Sequence, residues 1–222
     1  PYDEHLPISI SAFTHSDESI RMNSSSGGFF TRIATAIIEQ GGVVFGACFD
    51  EEWRVVHTYL DKKEKLSLLQ GSKYVQSSIG DSYINAKRFL QDGVPVLFTG
   101  TSCQIAGLKR FLRKDYDLLY TMDVICHGVP SPQVWKDYLH SILSVSDIES
   151  ISFRNKSTGW KNFSFAIRGK DNSILVEPFT RNLFMKGFLN NFFLRPSCYS
   201  CPSKKGKANS DFTVGDFWGV DK

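Results

Sequence analysis

The chain has 222 residues and a mass of 25.1 kDa, with 41% apolar and 22% charged residues, enough to bury a core without disulfides and too apolar for intrinsic disorder. Its net charge of +3, from 26 basic and 23 acidic residues, is too slight to mark a nucleic-acid protein. No apolar run reaches the roughly 20 residues of a membrane helix and no signal-peptide pattern is present, so a cytoplasmic protein without a membrane span is expected.

Pro1 is an unusual natural start and points to a segment of a longer protein. Ile8 to Phe13 reads as a short strand before a polar turn. Ser24-Ser25-Ser26-Gly27-Gly28 then opens an amphipathic helix to about Gln40, with Phe29, Ile33, Ile37 and Ile38 inward. Val43 to Phe49 and Val55 to Leu60 read as a strand pair around a charged turn. Gly71 to Gly80 has no period, and Asp81 to Gln91 is helical. Val96 to Thr99 is an apolar strand that turns at Gly100-Thr101-Ser102-Cys103 into a helix burying Ile105, Leu108, Phe111 and Leu112. Leu118 to Ile125 is a second such strand, ending at Cys126-His127-Gly128, and Ser131-Pro132 starts a helix to about Leu143.

After residue 147 the pattern changes. Ile151 to Arg154, Phe163 to Arg168 and Ile174 to Phe179 alternate like antiparallel strands. An aromatic helix (Leu183 to Phe193), a loop with Cys198 and Cys201, and a strand near Phe212 to Phe217 complete the chain. The fold class is mixed α/β: a parallel-type half, 1–147, and a β-rich half, 148–222, packed as one unit. The cluster Lys204-Lys205-Gly206-Lys207 is short, lacks aromatic interleaving and reads as a solvated loop.

Five cysteines in a chain of this length argue against a disulfide framework. Cys198-Tyr199-Ser200-Cys201 lies in a loop rather than between a strand and a helix, which favours metal ligation over thioredoxin-like redox chemistry. Cys103 opens a helix, where free N–H groups and the helix dipole favour a thiolate. Cys126 ends the neighbouring strand, and adjacent parallel strands present ligand sites at their carboxyl ends. Four such thiolates can hold zinc or an iron–sulfur cluster, and their dispersal in sequence leans towards a cluster. Taken singly, Cys103 and Cys126 could equally be small buried hydrophobes, and Cys48, inside a strand, reads as a core residue.

Three turns carry small polar residues suited to phosphate: 24–28, Gly71 to Ser77 with Lys73, and Gly100-Thr101-Ser102. Each alone also reads as a helix cap or a permissive turn. None is a Walker A loop or a G-x-G-x-x-G fingerprint.

Together these stretches resemble the beta subunit of coenzyme F420-reducing hydrogenases and dehydrogenases. The matching segments are Ser24 to Phe29, Gly71 to Ser77, Phe98 to Lys109, Ile125 to Pro132, Arg195 to Cys201 and Ser210 to Gly219, in family order. The resemblance implies one FAD and a 4Fe-4S cluster. Electrons would pass between a redox partner protein or ferredoxin module and a deazaflavin-like or other small-molecule acceptor. Carried over residue by residue, Cys103, Cys126, Cys198 and Cys201 would ligate the cluster. Ser25, Ser26, Gly27, Gly28, Lys73, Gln76, Thr99, Thr101 and Gln104 would line the FAD, with His127 and Gly128 beside it. Flavin chemistry belongs to the cofactor, so no protein base is assigned. Ser102 stands where relatives often carry proline, which predicts a looser turn before Cys103. Relatives often also carry a ferredoxin module before, and further chain after, the matching stretch.

Two other readings compete. One is a metal-stapled binding module, with zinc on the same four cysteines and no redox role. The other is a hydrolase with Cys103 as nucleophile and His127 as base, for which the sequence offers no third orienting group.

Overall fold

The computed structural model describes residues 7–217 except 143, 158, 161 and 205–207. The expected helix end at Leu143, most of the 204–207 basic cluster and the Trp218-Gly219 end of the last matching segment lie outside the described residues.

The first sheet is built from β1 (Val43–Phe49), β2 (Val55–Leu60), β3 (Val96–Thr101), β4 (Leu119–Val124) and the last strand of the chain, β8 (Phe212–Val214). Their order across the sheet is β2-β1-β3-β4-β8. The β1–β2 pair is antiparallel, and the β1–β3, β3–β4 and β4–β8 pairs are parallel. Strand alternation splits the side chains between two layers. Val43, Phe45, Val96 and Phe98 pack on α3 (Ser82–Gln91) and α4 (Ser102–Leu112). Val44, Leu97 and Met122 face α2 (Phe29–Glu39) and the 3-10 turn Lys63–Leu68.

The second sheet is antiparallel: β5 (Ile148–Asn155), β6 (Ser164–Gly169) and β7 (Ile174–Pro178). Phe153, Phe165 and Ile167 of this sheet share one core with Trp135 and Leu139 of α5 (Pro132–Ile142) and with Phe184, Met185 and Phe188 of α6 (Leu183–Leu189). Val55 and Val75 belong to the same core. The Trp135 indole N–H, donating to the Trp53 carbonyl at 2.8 Å, secures this core to the β1–β2 turn. The mixed α/β class expected from sequence is the one observed.

Several elements depart from expectation. Ile8 to Phe13 forms no strand, and Ile8 and Ile10 are exposed; apolar alternation without a pairing partner does not make a strand. The expected polar turn contains α1 (Glu18–Asn23), whose first N–H groups are taken by Asp17. Of the α2 stripe only Ile37 is fully buried, and Phe111 of α4 is exposed against Tyr83. The aromatic helix stops at Leu189, and β8 is only three residues long. The Cys198 segment is a helical turn, α7 (Pro196–Tyr199), rather than open loop.

Candidate functional site

Strands β3 and β4 run parallel in register from Val96↔Leu119 to Thr101↔Val124, so Cys103 and Cys126 follow the same edge of the sheet. The segment after β4 pairs back on the chain before α7. Arg195 N–H donates to the Val129 carbonyl at 2.9 Å, and Pro130 bridges Leu194. This brings α7 against the β4 exit: a Cβ placed on Gly128 would stand 3.4 Å from Cys198 Cβ.

Burial pushes the Cys126 thiol up to about 11, and repulsion from Cys103, Cys198 and Cys201 adds to the rise. All three predicted co-ligands therefore lie within electrostatic reach of Cys126. The cysteines are free thiols, Cys103 exposed and the other three half-buried. Among the described residues no three His, Cys, Asp or Glu side chains stand at single-ion spacing. One zinc would hold four sulfurs about 3.8 Å apart, from its Zn–S length of ~2.3 Å, whereas a cubane spreads its thiolates more widely. Four thiols on segments that meet at one sheet edge are a donor set whose chemistry fits an iron–sulfur cluster as well as zinc. Cys48 is the fifth thiol; it is half-buried in β1 and raised by burial, with Lys73 nearby.

Ser102 anchors the turn before Cys103 rather than loosening it. Its buried hydroxyl donates to the carboxylate of Asp123, a fully buried residue of β4. The other Asp123 oxygen accepts from Thr213 of β8 at 2.6 Å. Two hydroxyl donors satisfy a carboxylate that burial would otherwise penalise.

The polar turns are joined to one another. Ser72 donates to Ser25 at 2.7 Å, linking the 71–77 loop to the turn before α2. Ser26, in that same turn, is half-buried. Gly28 caps α2 with φ +87° and leaves the helix without a side-chain cap. A Cβ on Gly27 would fall on the Phe13 carbonyl. Lys73 is held to about 8 by burial, its ammonium on the Gln70 and Gly71 carbonyls. Gln76 N–H donates to the Pro130 carbonyl at 3.2 Å, so the same loop touches the cysteine side. The Thr99 hydroxyl is spent inside the sheet on the Phe45 carbonyl. His127 is exposed, edge-on to Phe188.

Sequence reasoning passed over four groups. His57 is buried in β2 between Ser77 and the Thr99 carbonyl, at 2.8 and 2.9 Å. Its signal was an inward strand position shared with Val55. Asp123 was hidden in an apolar strand. Arg154 pairs with Asp216 at 2.8 Å, and Lys156 donates to the carbonyls of Arg21 and Ser24. These last two bind the end of β5 to segments more than 60 residues away, which local pattern cannot reveal. A cavity of about 420 Å³ lined by Lys109, Arg113, Tyr116 and Asp211 opens at the other end of β4, away from the cysteines.

A family model describing the C-terminal part of the coenzyme F420 hydrogenase/dehydrogenase beta subunit matches residues 94–222. No curated protein sequence matches. Among solved structures, a chain of the xenon-derivatised F420-reducing [NiFe] hydrogenase complex from Methanosarcina barkeri aligns with a TM-score of 0.57 and 16% identity. The alignment covers 85% of this chain and 63% of that one, a likeness of fold. Among the described residues no helix is long and apolar enough to cross a membrane.

Proposed function

The chain belongs to the coenzyme F420 hydrogenase/dehydrogenase beta-subunit family, a family of redox subunits, and from that premise we propose that it is an iron–sulfur flavoprotein module. Cys103, Cys126, Cys198 and Cys201 ligate a 4Fe-4S cluster, and the turns at 24–28, 71–77 and 99–104 hold an FAD. What supports this reading is geometric: the β3–β4 register and the contact of 129–131 with 193–195 bring the cysteine-bearing segments to the sheet edge where those turns are hydrogen-bonded together.

The cluster supplies one-electron transfer, and the flavin links single electrons to a two-electron acceptor. This chain's residues bind and orient. The α7 turn would hold Cys198, the residues just after it Cys201, the β4 exit Cys126, and the α4 start Cys103. The uncapped first turn of α2, with Ser25 and Ser72 beside it, suits a phosphate of the cofactor. His127 and Gly128 directly follow Cys126 and lie beside the FAD. The electron donor would be a redox partner protein or ferredoxin module and the acceptor a deazaflavin-like or other small molecule. The halves 1–147 and 148–222 act as one packed unit.

Anaerobic purification with iron and sulfide reconstitution tests this. We expect about four irons and four sulfides per chain, bound FAD and a brown-yellow visible spectrum. One zinc without acid-labile sulfide would instead support the metal-stapled reading. Neither iron nor flavin after reconstitution would overturn the proposal.

A further inference from the structure

Gln104 stands at the third position of α4 and reaches back to the helix start, its Oε1 accepting the Thr101 N–H at 2.9 Å. Its Nε2 donates to Ser77 Oγ at 2.8 Å. The Thr99 carbonyl can only accept, so His57 Nε2 carries the ring proton and Nδ1 accepts from the Ser77 hydroxyl. Each donor and acceptor between His57 and Gln104 is thereby assigned, and the Gln104 amide has one orientation.

The Thr101 hydroxyl is the free end of this chain. It has one hydrogen and two acceptors: Gln104 Oε1 at 3.1 Å and Cys103 Sγ at 3.2 Å. While Cys103 is a thiol, its S–H can be given to Thr101 Oγ1 and the hydroxyl hydrogen given to Gln104. A metal-bound sulfur has no hydrogen and carries negative charge. A hydrogen bond to an ionised acceptor is roughly twice as strong as one between neutral groups. Turning the hydroxyl to the sulfur leaves Gln104 Oε1 still satisfied by the Thr101 N–H, so the switch orphans nothing.

We propose that Thr101 is a positioning residue for the cluster, its hydroxyl donating to the Cys103 sulfur and raising the cluster's reduction potential. This rests on the cluster assignment made above. It also gives Thr101 and Gln104 a role on the cluster side of the site, with Ser77 and His57 holding Gln104 in place. When the cluster takes one electron, no bond is made or broken and the added negative charge falls partly on the thiolate sulfurs. A donor aimed at one of them stabilises the reduced form.

The test is an EPR-monitored redox titration of the reconstituted 222-residue chain with Thr101→Val and Thr101→Ser. Valine keeps the shape and deletes the hydroxyl, whereas serine keeps the hydroxyl. We expect Thr101→Val to be harder to reduce, by severalfold to tenfold in the reduced-to-oxidised ratio at a fixed ambient potential. A tenfold change is about 59 mV for a one-electron couple. Thr101→Ser should titrate like the parent. Should the valine variant fail to load, pulsed ENDOR of the parent and Thr101→Ser in deuterated water replaces it. Both should then show an exchangeable deuteron coupled to the cluster that Thr101→Ala lacks. A valine variant at the parent potential, or valine and serine shifted alike, overturns the role of the hydroxyl while leaving the cluster assignment standing. A parent chain with no 4Fe-4S signal overturns both.

Discussion

His57 shows how a single side chain can join three segments. Its ring lies 5.5 Å from Phe98 in a parallel stack, while its nitrogens join β2 to the 71–77 loop and to β3. Burial holds its pKa below 6.5; the Thr99 carbonyl opposes this and Lys73 reinforces it. In the unfolded chain the ring titrates near 6.5. Below that pH the unfolded chain takes up a proton that the folded ring refuses. The contribution of His57 is therefore full above 6.5 and is lost as pH falls towards the lower folded value. His57→Phe keeps the stack and removes both nitrogens, leaving the Ser77 hydroxyl and the Thr99 carbonyl short of partners. We expect it to cost about 1–3 kcal/mol near neutral pH. Urea titrations at about pH 8 and about pH 5.5 should show the gap between parent and variant narrowing at the acid end. A gap independent of pH would show that the ring is not buried in its neutral form. The sequence displayed this histidine but not its partners, which lie 20 and 42 positions away. The cysteines stood out in the sequence as a candidate set, because thiol spacing and helix-start position suggest chemistry without tertiary knowledge.

At the scale of elements, the site depends on a short antiparallel contact, residues 129–131 against 193–195, that sets α7 beside Cys126. Gly128 lies in the seam with φ +146°, and a Cβ there would meet buried Leu194 Cδ1 at 2.8 Å and Cys198 Cβ at 3.4 Å. Gly128→Ala adds backbone strain of about 1–3 kcal/mol and pushes the two segments apart. We expect its far-UV circular dichroism to match the parent while iron per chain after reconstitution falls by at least half. Full iron loading would show that the spacing of α7 from the β4 exit is not what sets the site. Strands β1 to β4 were legible because each is a mainly apolar run bounded by turn residues. Strand β8 was placed but overextended: its partner β4 pairs with only Phe212 to Val214. Ile8 to Phe13 misled for the converse reason, an apolar alternation that no neighbouring strand takes up.

The whole molecule is held by a core that ignores the boundary at residue 147. Trp135 is fully buried, and its ring lies 5.0 Å from both Phe153 and Phe184 and 6.2 Å from Phe165. All three partners come from beyond that boundary. Strand β8 returns from the end of the described chain to close the first sheet, and its Thr213 hydroxyl satisfies buried Asp123. Removing a large buried aromatic costs about 3–5 kcal/mol, so losing three matches the whole stability of a domain, about 5–15 kcal/mol. Residues 1–147 alone would also leave Asp123 one donor short. We therefore expect the full chain to unfold in a single urea transition. Tryptophan fluorescence, to which Trp53 and Trp135 at the shared core contribute among the chain's four tryptophans, should coincide with far-UV circular dichroism. Residues 1–147 expressed separately should bind a hydrophobic dye and melt without cooperativity, as a collapsed chain without fixed packing does. Two resolved transitions in the full chain, or a cooperative melt of 1–147, would show that the halves are independent folding units. The proposed cofactor turns of the first half would then have to hold their geometry without the second sheet.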